Sequence, residues 1–198
     1  MDKALIIFIK NPERGKVKTR LAATLGDDKA LSIYKELLEH TRTICERVAA
    51  DRLLFYSNFI DQDDAWQDKD FKKFVQVGSG LGVRMQAAFE EAFERYAYRK
   101  VVIIGSDCAD LTTDTITAAF QHLEHHDTVI GPSNDGGYYL LGMRQLFTPV
   151  FEQKQWSTPS VLGDTQMDIE NAGLTYYLLP QLTDIDTEED LRGSLLGL

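Results

Sequence analysis

Short apolar runs alternate with amphipathic stretches along almost the whole chain. The clearest runs are ALIIFI at residues 4–9 and VVIIG at 101–105, which have the length and the β-branched content of buried strands. The same criteria predict further strands at residues 52–57, 74–77, 128–132, 136–143 and 175–179. Gly136 and Gly137, at the start of the segment 136–143, predict a turn, so residues 128–143 are expected to form a hairpin.

Between these runs, apolar residues recur with helical spacing. The stripe from Ala30 to Val48 predicts a long helix, and either Asp27 or Asp28 can cap its start. Other helices are predicted over residues 81–98, 114–125, 159–172 and 187–196, the last with a start that resembles a capping box. Alternating strands and helices predict an α/β fold with a mainly parallel central sheet and helices on both faces, formed by one domain over residues 1–198.

Composition and net charge limit the kinds of molecule that the protein is expected to bind. The chain has 198 residues, 43% of them hydrophobic, and a formal net charge of −10. A net acidic protein is a poor match for nonspecific binding to nucleic acid or to an anionic membrane. No apolar run approaches the ~18 residues of a membrane span, and two cysteines make no disulfide framework. The expected compartment is therefore the cytoplasm.

Five of the 21 basic residues fall within KNPERGKVKTR, directly after the first predicted strand. Lys10, Lys16, Lys18 and Arg20 around Gly15 could surround a polyphosphate with positive charge. Because Gly15-Lys16 is followed by Val17, the loop is not a Walker A motif. The alternative is a solvated basic loop, but its place after the first strand favours phosphate binding.

The segment GSGLGVRM at residues 78–85 opens a predicted helix. Its glycines do not complete a dinucleotide fingerprint, because Val83 stands at the last glycine position. Backbone amides near Gly82 and the side chain of Arg84 could still contact a phosphate. The alternative is a flexible connection with an exposed arginine.

The segment GSDCADL at residues 105–111 follows the most strongly buried predicted strand. Asp107 and Asp110 could hold Mg²⁺ or Mn²⁺, which prefer carboxylate oxygen ligands shared with substrate phosphates and water. They could equally order a turn or cap the following helix. Cys108 between them has no nearby histidine in the sequence, which favours a buried thiol over a nucleophile.

Two later segments add carboxylates at the same predicted edge of the sheet. Asp135 precedes Gly136 and Gly137, a pattern typical of a hairpin turn that could also bind sugar hydroxyls or a metal. Asp184 and Asp186 precede the last predicted helix. One of them could serve the helix N-terminus, and either could complete a metal site begun by Asp107.

Six segments together resemble the radical-SAM/selenodomain-associated transferase 1 family, within the nucleotide-diphospho-sugar transferase superfamily of GT-A fold. They run in the expected order over nearly the whole chain: FIKNPERGKVKTRL, GSGLGVRMQAAFEEAF, GSDCADLTTDTITAAF, GPSNDGGYYLLGM, WSTPSVLGDT and TDIDTEEDL. The chain departs from the family at Ala109, where proline is more common, and at Val83, where an acidic residue is more common.

The resemblance implies a nucleotide-binding α/β fold that usually holds a divalent metal. It assigns phosphate contacts to the loop of Lys10, Gly15, Lys18 and Arg20, and the main metal-binding position to Asp107. Asp184 or Asp186 would match a late metal ligand of related nucleotidyltransferases. The residues implied on the acceptor or sugar side are Asp135, Gly136, Gly137, Trp156 and Ser157.

The expected function is metal-assisted transfer from a nucleotide donor to a small acceptor, in which a divalent ion on Asp107, together with Lys18 and Arg20, offsets phosphate charge. Two reactions fit: nucleotidyl transfer from a nucleoside triphosphate, and glycosyl transfer from a nucleotide sugar. The number of basic residues in the first loop favours a triphosphate, and the family's glycosyltransferase-like labelling favours a sugar nucleotide. A nucleotide-binding module without catalysis stays open as a different class.

Overall fold

A computed structural model describes residues 2–194, and all seven strands in that range belong to one sheet. The strands are β1 Lys3–Ile9, β2 Asp51–Tyr56, β3 Lys72–Val75, β4 Lys100–Ile104, β5 Thr128–Pro132, β6 Tyr138–Met143 and β7 Tyr176–Leu178. Their spatial order is β3-β2-β1-β4-β6-β5-β7. Only β6 runs against its neighbours, and the other described pairs are parallel. The expected mainly parallel sheet is confirmed.

Residues 2–194 also contain six α-helices. They are α1 Thr19–Leu25, α2 Asp27–Glu46, α3 Leu81–Glu90, α4 Thr113–His122, α5 Val161–Asn171 and α6 Glu188–Arg192. A π-helical segment Glu91–Arg95 continues α3, and a short 3₁₀ turn spans Thr148–Phe151. Thr187 and Asp190 form the expected capping box at the start of α6. Residues 195 and 196, at the end of the predicted last helix, lie outside the described residues, as do residues 197 and 198.

The core consists of two layers, one on each face of the sheet. Alternate residues of β1 illustrate this: Leu5 and Ile7 pack with α1, α2 and α4, whereas Ala4 and Ile6 pack with α3 and α5. Side chains that follow one another in a strand point to opposite faces, so a strand buried on both sides reads as an unbroken apolar run. The expected helices on both faces, and with them the three-layer α/β fold, are confirmed.

Several predicted boundaries were wrong in detail. Helix α1 was missed, because its seven residues are too few to show apolar periodicity. Strand β3 lies at Lys72–Val75 rather than 74–77, since its register is set by hydrogen bonding to β2. Helix α2 is preceded by Gly26 in a left-handed conformation, and neither Asp27 nor Asp28 caps it through its side chain.

In the described range 2–194, no helix combines the length and apolar character needed to cross a membrane. The parallel strands β1, β4 and β5 all end at one edge of the sheet. Their following loops lie beside the segment 179–187 that follows β7. That edge is where open α/β sheets place their ligand sites.

Candidate functional site: a cleft at the carboxyl ends of the strands

Backbone hydrogen bonds dock the segment 181–186 against two strand-end loops. Ile185 N donates to Asp107 O at 2.8 Å, which ties the segment to the loop after β4. Leu182 N donates to Pro132 O at 3.1 Å, and Asn134 N donates to Leu182 O at 3.0 Å, which tie it to the loop after β5. These hydrogen bonds place the carboxylates of Asp184 and Asp186, which are distant in sequence, close to Asp107.

Lys18 joins this group from the opposite end of the sequence. Its Nζ lies 2.6 Å from Asp107 Oδ1 and 3.5 Å from Asp186 Oδ1, and it donates to Ile185 O at 2.6 Å. The Lys18 side chain is 4% exposed, against 41% for Asp107 and 46% for Asp186. The backbone of Lys18 is left-handed, with φ 48°. This conformation is uncommon for a residue with a side chain, and it turns the lysine inward at the start of α1.

Four basic side chains surround a small pocket beside Asp107 and Asp186. The pocket has a volume of about 210 Å³ and is lined by Lys10, Lys16, Val17, Lys18, Thr19, Arg20, Tyr34, Asp107 and Asp186. Arg20 reaches its rim, with Nη1 3.4 Å from Asp186 Oδ2. The predicted phosphate residues Lys10, Lys18 and Arg20 are therefore gathered in one place, with positive charge in excess.

Other parts of the basic loop are held away from this pocket or at its edge. Arg14 pairs with Asp28 at 2.6 Å and with Asp27 at 3.7 Å, at the start of α2. Lys16 pairs with Glu13 at 2.8 Å. Gly15 is exposed with φ 73°, where a turn favours glycine, and it lines neither the basic pocket nor the larger cleft that adjoins it.

A larger cleft of about 600 Å³ adjoins the basic pocket and shares Lys10, Asp107 and Asp186 with it. Its lining also includes the predicted residues Arg84, Asp135, Gly137, Trp156, Ser157 and Asp184. Apolar and aromatic side chains make up much of its floor, among them Phe8, Met85, Tyr138 and Tyr139. A mostly apolar cleft with a few convergent polar groups is typical of small-molecule sites.

Gly82 has a different place from the one expected. It is buried in α3, and a Cβ there would lie 2.5 Å from Trp156 Nε1 and 2.7 Å from Phe151 O. Close helix packing therefore explains this glycine, and its amide is not in the lining of the cleft. Arg84, two residues further along the helix, does line the cleft, and its Nε donates to Gly78 O at 3.0 Å.

The turn after β5 uses Asp135 structurally while exposing it to the cleft. Its Oδ1 accepts from Gly137 N at 2.9 Å and from the Ser133 hydroxyl. Gly136 has φ 86°, and a Cβ there would lie 2.4 Å from Pro159 O. Only glycine fits this position. The expected hairpin between β5 and β6 is confirmed, and its turn is packed against the start of α5.

Clustered carboxylates perturb the titration of Asp184. Desolvation, followed by the nearby charges of Asp107 and Asp135, raises the pKa of Asp184 to about 7. Burial, reinforced by Asp184, raises the pKa of the Cys108 thiol to about 12. Cys108 is thus a neutral thiol near pH 7, which is the state expected for a packing residue rather than a nucleophile.

Three residues that hold the cleft together were not singled out from the sequence. The Tyr34 hydroxyl donates to Lys10 O at 3.0 Å, accepts from Lys10 N at 2.8 Å and lies 3.2 Å from Ser106 Oγ. Asn11 links the loops after β1 and β2 through Ser57. Gln76 Nε2 donates to the backbone of β1 and β2. An aromatic with a polar tip inside the apolar stripe of α2 was the available signal for Tyr34.

The carboxylates suit a hard divalent cation in their chemistry, but they are not arranged as a preformed centre. Within residues 2–194, no three histidine, cysteine, aspartate or glutamate groups form a cluster that could hold a metal ion. Asp110 lines neither of the described cavities. Neither Asp107 nor Asp110 caps α4, because Thr112 does so by accepting from Thr115 N at 3.2 Å. Asp107 and Asp186, which share the Lys18 ammonium, are the carboxylates best placed to meet an added cation.

A protein from Desulfovibrio desulfuricans G20, provisionally named a nucleotide-diphospho-sugar transferase, shares this fold with a TM-score of 0.86 and 32% identity. The alignment covers 98% of this chain and 92% of that one. With the cleft at the strand ends, this match places the chain among the nucleotide-using transferases and supports the superfamily expected from its motifs. The chain belongs to the family described as "Uncharacterized protein conserved in bacteria (DUF2064)", whose profile matches residues 40–158. None of the curated proteins matches the sequence.

Two more distant structures show the same fold. CMP:2-keto-3-deoxy-manno-octonic acid synthetase complexed with CTP has a TM-score of 0.58 at 11% identity, covering 96% of this chain and 95% of that one. A Mycobacterium tuberculosis H37Rv protein in complex with manganese has a TM-score of 0.53 at 10% identity, covering 99% and 98%. At these identities the likeness concerns the fold alone.

Proposed function

We propose that this protein transfers a group from a nucleotide donor to a small acceptor, with the donor phosphates in the basic pocket and the acceptor in the larger cleft. The observation that carries the proposal is that the basic pocket, lined by Lys18 and Arg20, and the larger cleft share Lys10, Asp107 and Asp186 in their linings. Donor phosphates and acceptor would thus meet beside these two carboxylates. The narrower family assignment, to the radical-SAM/selenodomain-associated transferases, belongs to the same proposal.

The chain's own groups account for binding and charge stabilisation. Lys18 and Arg20 would contact phosphate oxygens, and their preorganised charge would stabilise negative charge that develops on the leaving phosphate. Arg84 would contact a further anionic group, and Asp135, Gly137, Trp156 and Ser157 would line the acceptor side. A divalent cation, Mg²⁺ or Mn²⁺, held by Asp107 with Asp186 or Asp184 would supply Lewis-acid neutralisation of the phosphates when bound.

Two reactions share this site. In nucleotidyl transfer, an acceptor oxygen bonds to the α-phosphorus of a nucleoside triphosphate, and the bond to the leaving pyrophosphate breaks. In glycosyl transfer, the acceptor bonds to the anomeric carbon of a nucleotide sugar, and a nucleoside diphosphate leaves. The separate pocket with four basic side chains favours the triphosphate donor, because three phosphates carry more negative charge than two.

A thermal-shift panel of nucleoside triphosphates and nucleotide sugars, each with and without Mg²⁺ or Mn²⁺, tests the proposal. A ligand at about one hundred times its Kd stabilises a protein by about 2.7 kcal/mol, which for a chain of this size raises the Tm by roughly 5–11 °C. A triphosphate as the best ligand, with pyrophosphate released on turnover, supports nucleotidyl transfer. A nucleotide sugar as the best ligand supports glycosyl transfer.

Two arginine variants provide the matched comparison. Arg20→Ala should weaken binding of the best nucleotide by about fivefold, because an exposed ionic contact contributes up to about 1 kcal/mol. Arg14→Ala removes the same charge from the same loop, but its side chain is directed to Asp28. Binding by Arg14→Ala should therefore stay near the wild-type value. Equal losses in both variants, or no nucleotide that raises the Tm, would contradict the proposal.

A further inference from the structure

The ammonium of Lys18 occupies the place between Asp107 and Asp186 where a cation shared by these carboxylates would lie. It is within 2.6 Å of one carboxylate and 3.5 Å of the other, and it is also bonded to Ile185 O. Because the lysine is buried and the carboxylates are about half exposed, the positive charge lies beneath them. The carboxylates remain open to the cleft on their other side.

Lysine and a divalent cation compete for such oxygens. Mg²⁺ and Mn²⁺ bind carboxylates most readily when the negative charge is uncompensated, and an ammonium within salt-bridge distance compensates it. The described residues provide no cluster of three protein ligands that could outweigh this competitor. A metal ion that enters alone therefore has to displace a charge that the chain itself supplies.

The same lysine also lines the basic pocket, where donor phosphates would bring a second set of anionic oxygens. A lysine has a flexible four-carbon stem, so its ammonium can change partner while the backbone stays in place. Phosphate oxygens in the pocket and the carboxylates beside it would thus compete for one ammonium.

We propose that Lys18 is the counter-ion of Asp107 and Asp186 in the free protein, and that a bound polyphosphate draws its ammonium away so that a divalent cation can take the two carboxylates. The inference rests on the proposed function, since it needs phosphates in the basic pocket. Its consequence is that metal and nucleotide bind as a coupled pair. By thermodynamic linkage, each raises the affinity for the other by the same factor.

Metal binding without nucleotide tests the first part of the proposal, that Lys18 is the counter-ion of Asp107 and Asp186. Chelator-treated protein is titrated with Mn²⁺ alone, and free Mn²⁺ is followed by electron paramagnetic resonance. Lys18→Met should bind Mn²⁺ about tenfold more tightly than the wild type, within the usual range of coupling between sites. Lys16→Met removes the same charge from the same pocket but frees only Glu13, so its affinity should change by less than about twofold.

Binding of inorganic tripolyphosphate tests the second part of the proposal, that a bound polyphosphate draws the Lys18 ammonium away from the carboxylates. Calorimetry on metal-free protein avoids chelation of the metal by the phosphate. Lys18→Met should bind tripolyphosphate at least about fivefold more weakly than Lys16→Met does, because a buried ammonium that reaches the phosphates contributes more than an exposed one. Melting temperatures confirm that the variants are folded. If Lys18→Met does not fold, Lys18→Gln, which can still donate to Ile185 O, replaces it with the same expectations.

The outcomes separate the coupling from the proposed function. Mn²⁺ affinity in Lys18→Met that is equal to or weaker than in the wild type overturns the counter-ion role. Unchanged tripolyphosphate affinity in that variant overturns the transfer of the ammonium to the phosphates. If the wild type binds neither Mn²⁺ with nucleotide nor tripolyphosphate alone, the proposed function fails and the inference fails with it.

Discussion

Lys18 is buried, with a side chain that is 4% exposed, whereas the other charged residues of its loop that pair with carboxylates are exposed. The side chains of Lys16 and Arg20 are 67% and 73% exposed, so their charges interact more weakly with neighbouring charges than the buried charge of Lys18 does. Charges in partly dry surroundings interact more strongly than charges in water. A small number of buried or half-buried groups therefore determines the electrostatics of the cleft, and Asp184 is a carboxylate among them whose pKa is clearly raised.

Asp184 should make stability depend on pH in metal-free protein. Its folded-state pKa of about 7 is above the ordinary value of 3.8, so the folded protein holds a proton that the unfolded chain releases between these values. The stabilisation that this bound proton gives the folded protein is fully present below about pH 3.8 and is lost as pH rises through about 7. Asp184→Asn should therefore melt above the wild type at pH 8, by a few degrees, and approach it towards pH 4.

Thermal unfolding in the presence of a chelator, from pH 4 to pH 8, measures this difference. Asp63→Asn makes the same change of charge in an exposed loop and is the control, with a wild-type pH profile expected. A stability difference for Asp184→Asn that is constant across the pH range would count against carboxylate crowding.

At the scale of elements, buried strands and long helices were predictable and short or edge elements were not. The apolar runs of β1 and β4 and the stripe of α2 are long enough to fix their type. Helix α1 has seven residues and starts at a left-handed lysine instead of a capping side chain, so no local pattern indicates it. The edge strand β3 is only partly buried, so its bounds depend on pairing with β2.

The turn between β5 and β6 should be intolerant of any side chain at position 136. Gly136→Ala forces a left-handed residue with a Cβ against the backbone of Pro159, at a cost of about 1–3 kcal/mol from the conformation alone. The Tm and the free energy of unfolding in urea measure the loss. Binding of the acceptor should weaken as well, because the same turn carries Asp135 and Gly137 into the cleft.

Gly163→Ala is the matched control within the adjoining helix α5. Its Cβ would meet no heavy atom within 4 Å, and its backbone is helical. Alanine is the better helix former, so this variant should gain about 0.5–1 kcal/mol. Similar losses in both glycine variants would show that the turn geometry is not what position 136 requires.

At the scale of the whole molecule, one segment near the end of the chain completes the site. The sequence predicted that the loops after β1, β4 and β5 share an edge, since parallel strands end together. It did not predict that residues 181–186 would hydrogen-bond to two of these loops. Such docking depends on backbone groups that every residue carries, such as Ile185 N and Asp107 O. For the same reason, the sequence could not indicate which carboxylate pairs with Lys18.

Ile185 should link overall stability to ligand binding. It is fully buried between Asp184 and Asp186, so Ile185→Ala should lower the free energy of unfolding by about 2–5 kcal/mol. It should also weaken nucleotide binding, because the Lys18 contact and the Asp107 hydrogen bond both end on its backbone. Denaturant unfolding and calorimetric titration measure the two effects.

Ile169→Ala separates these effects. Ile169 is equally buried, but it belongs to the layer on the other face of the sheet and lies in α5. It should lose similar stability and keep its nucleotide affinity under conditions where the protein is folded. A parallel loss of affinity in both variants would mean that global stability, not the docking of residues 181–186, controls the cleft.

The hydrogen bond from Lys18 to Ile185 joins residues 167 positions apart, and this separation has a consequence for synthesis. A ribosome adds about 5–20 residues per second, so Lys18 is made roughly 8–33 s before its partners. During that interval the nascent chain has its basic loop but lacks the carboxylates of 184 and 186. The complete cleft can therefore form only after β7 and the segment 181–186 have been synthesised.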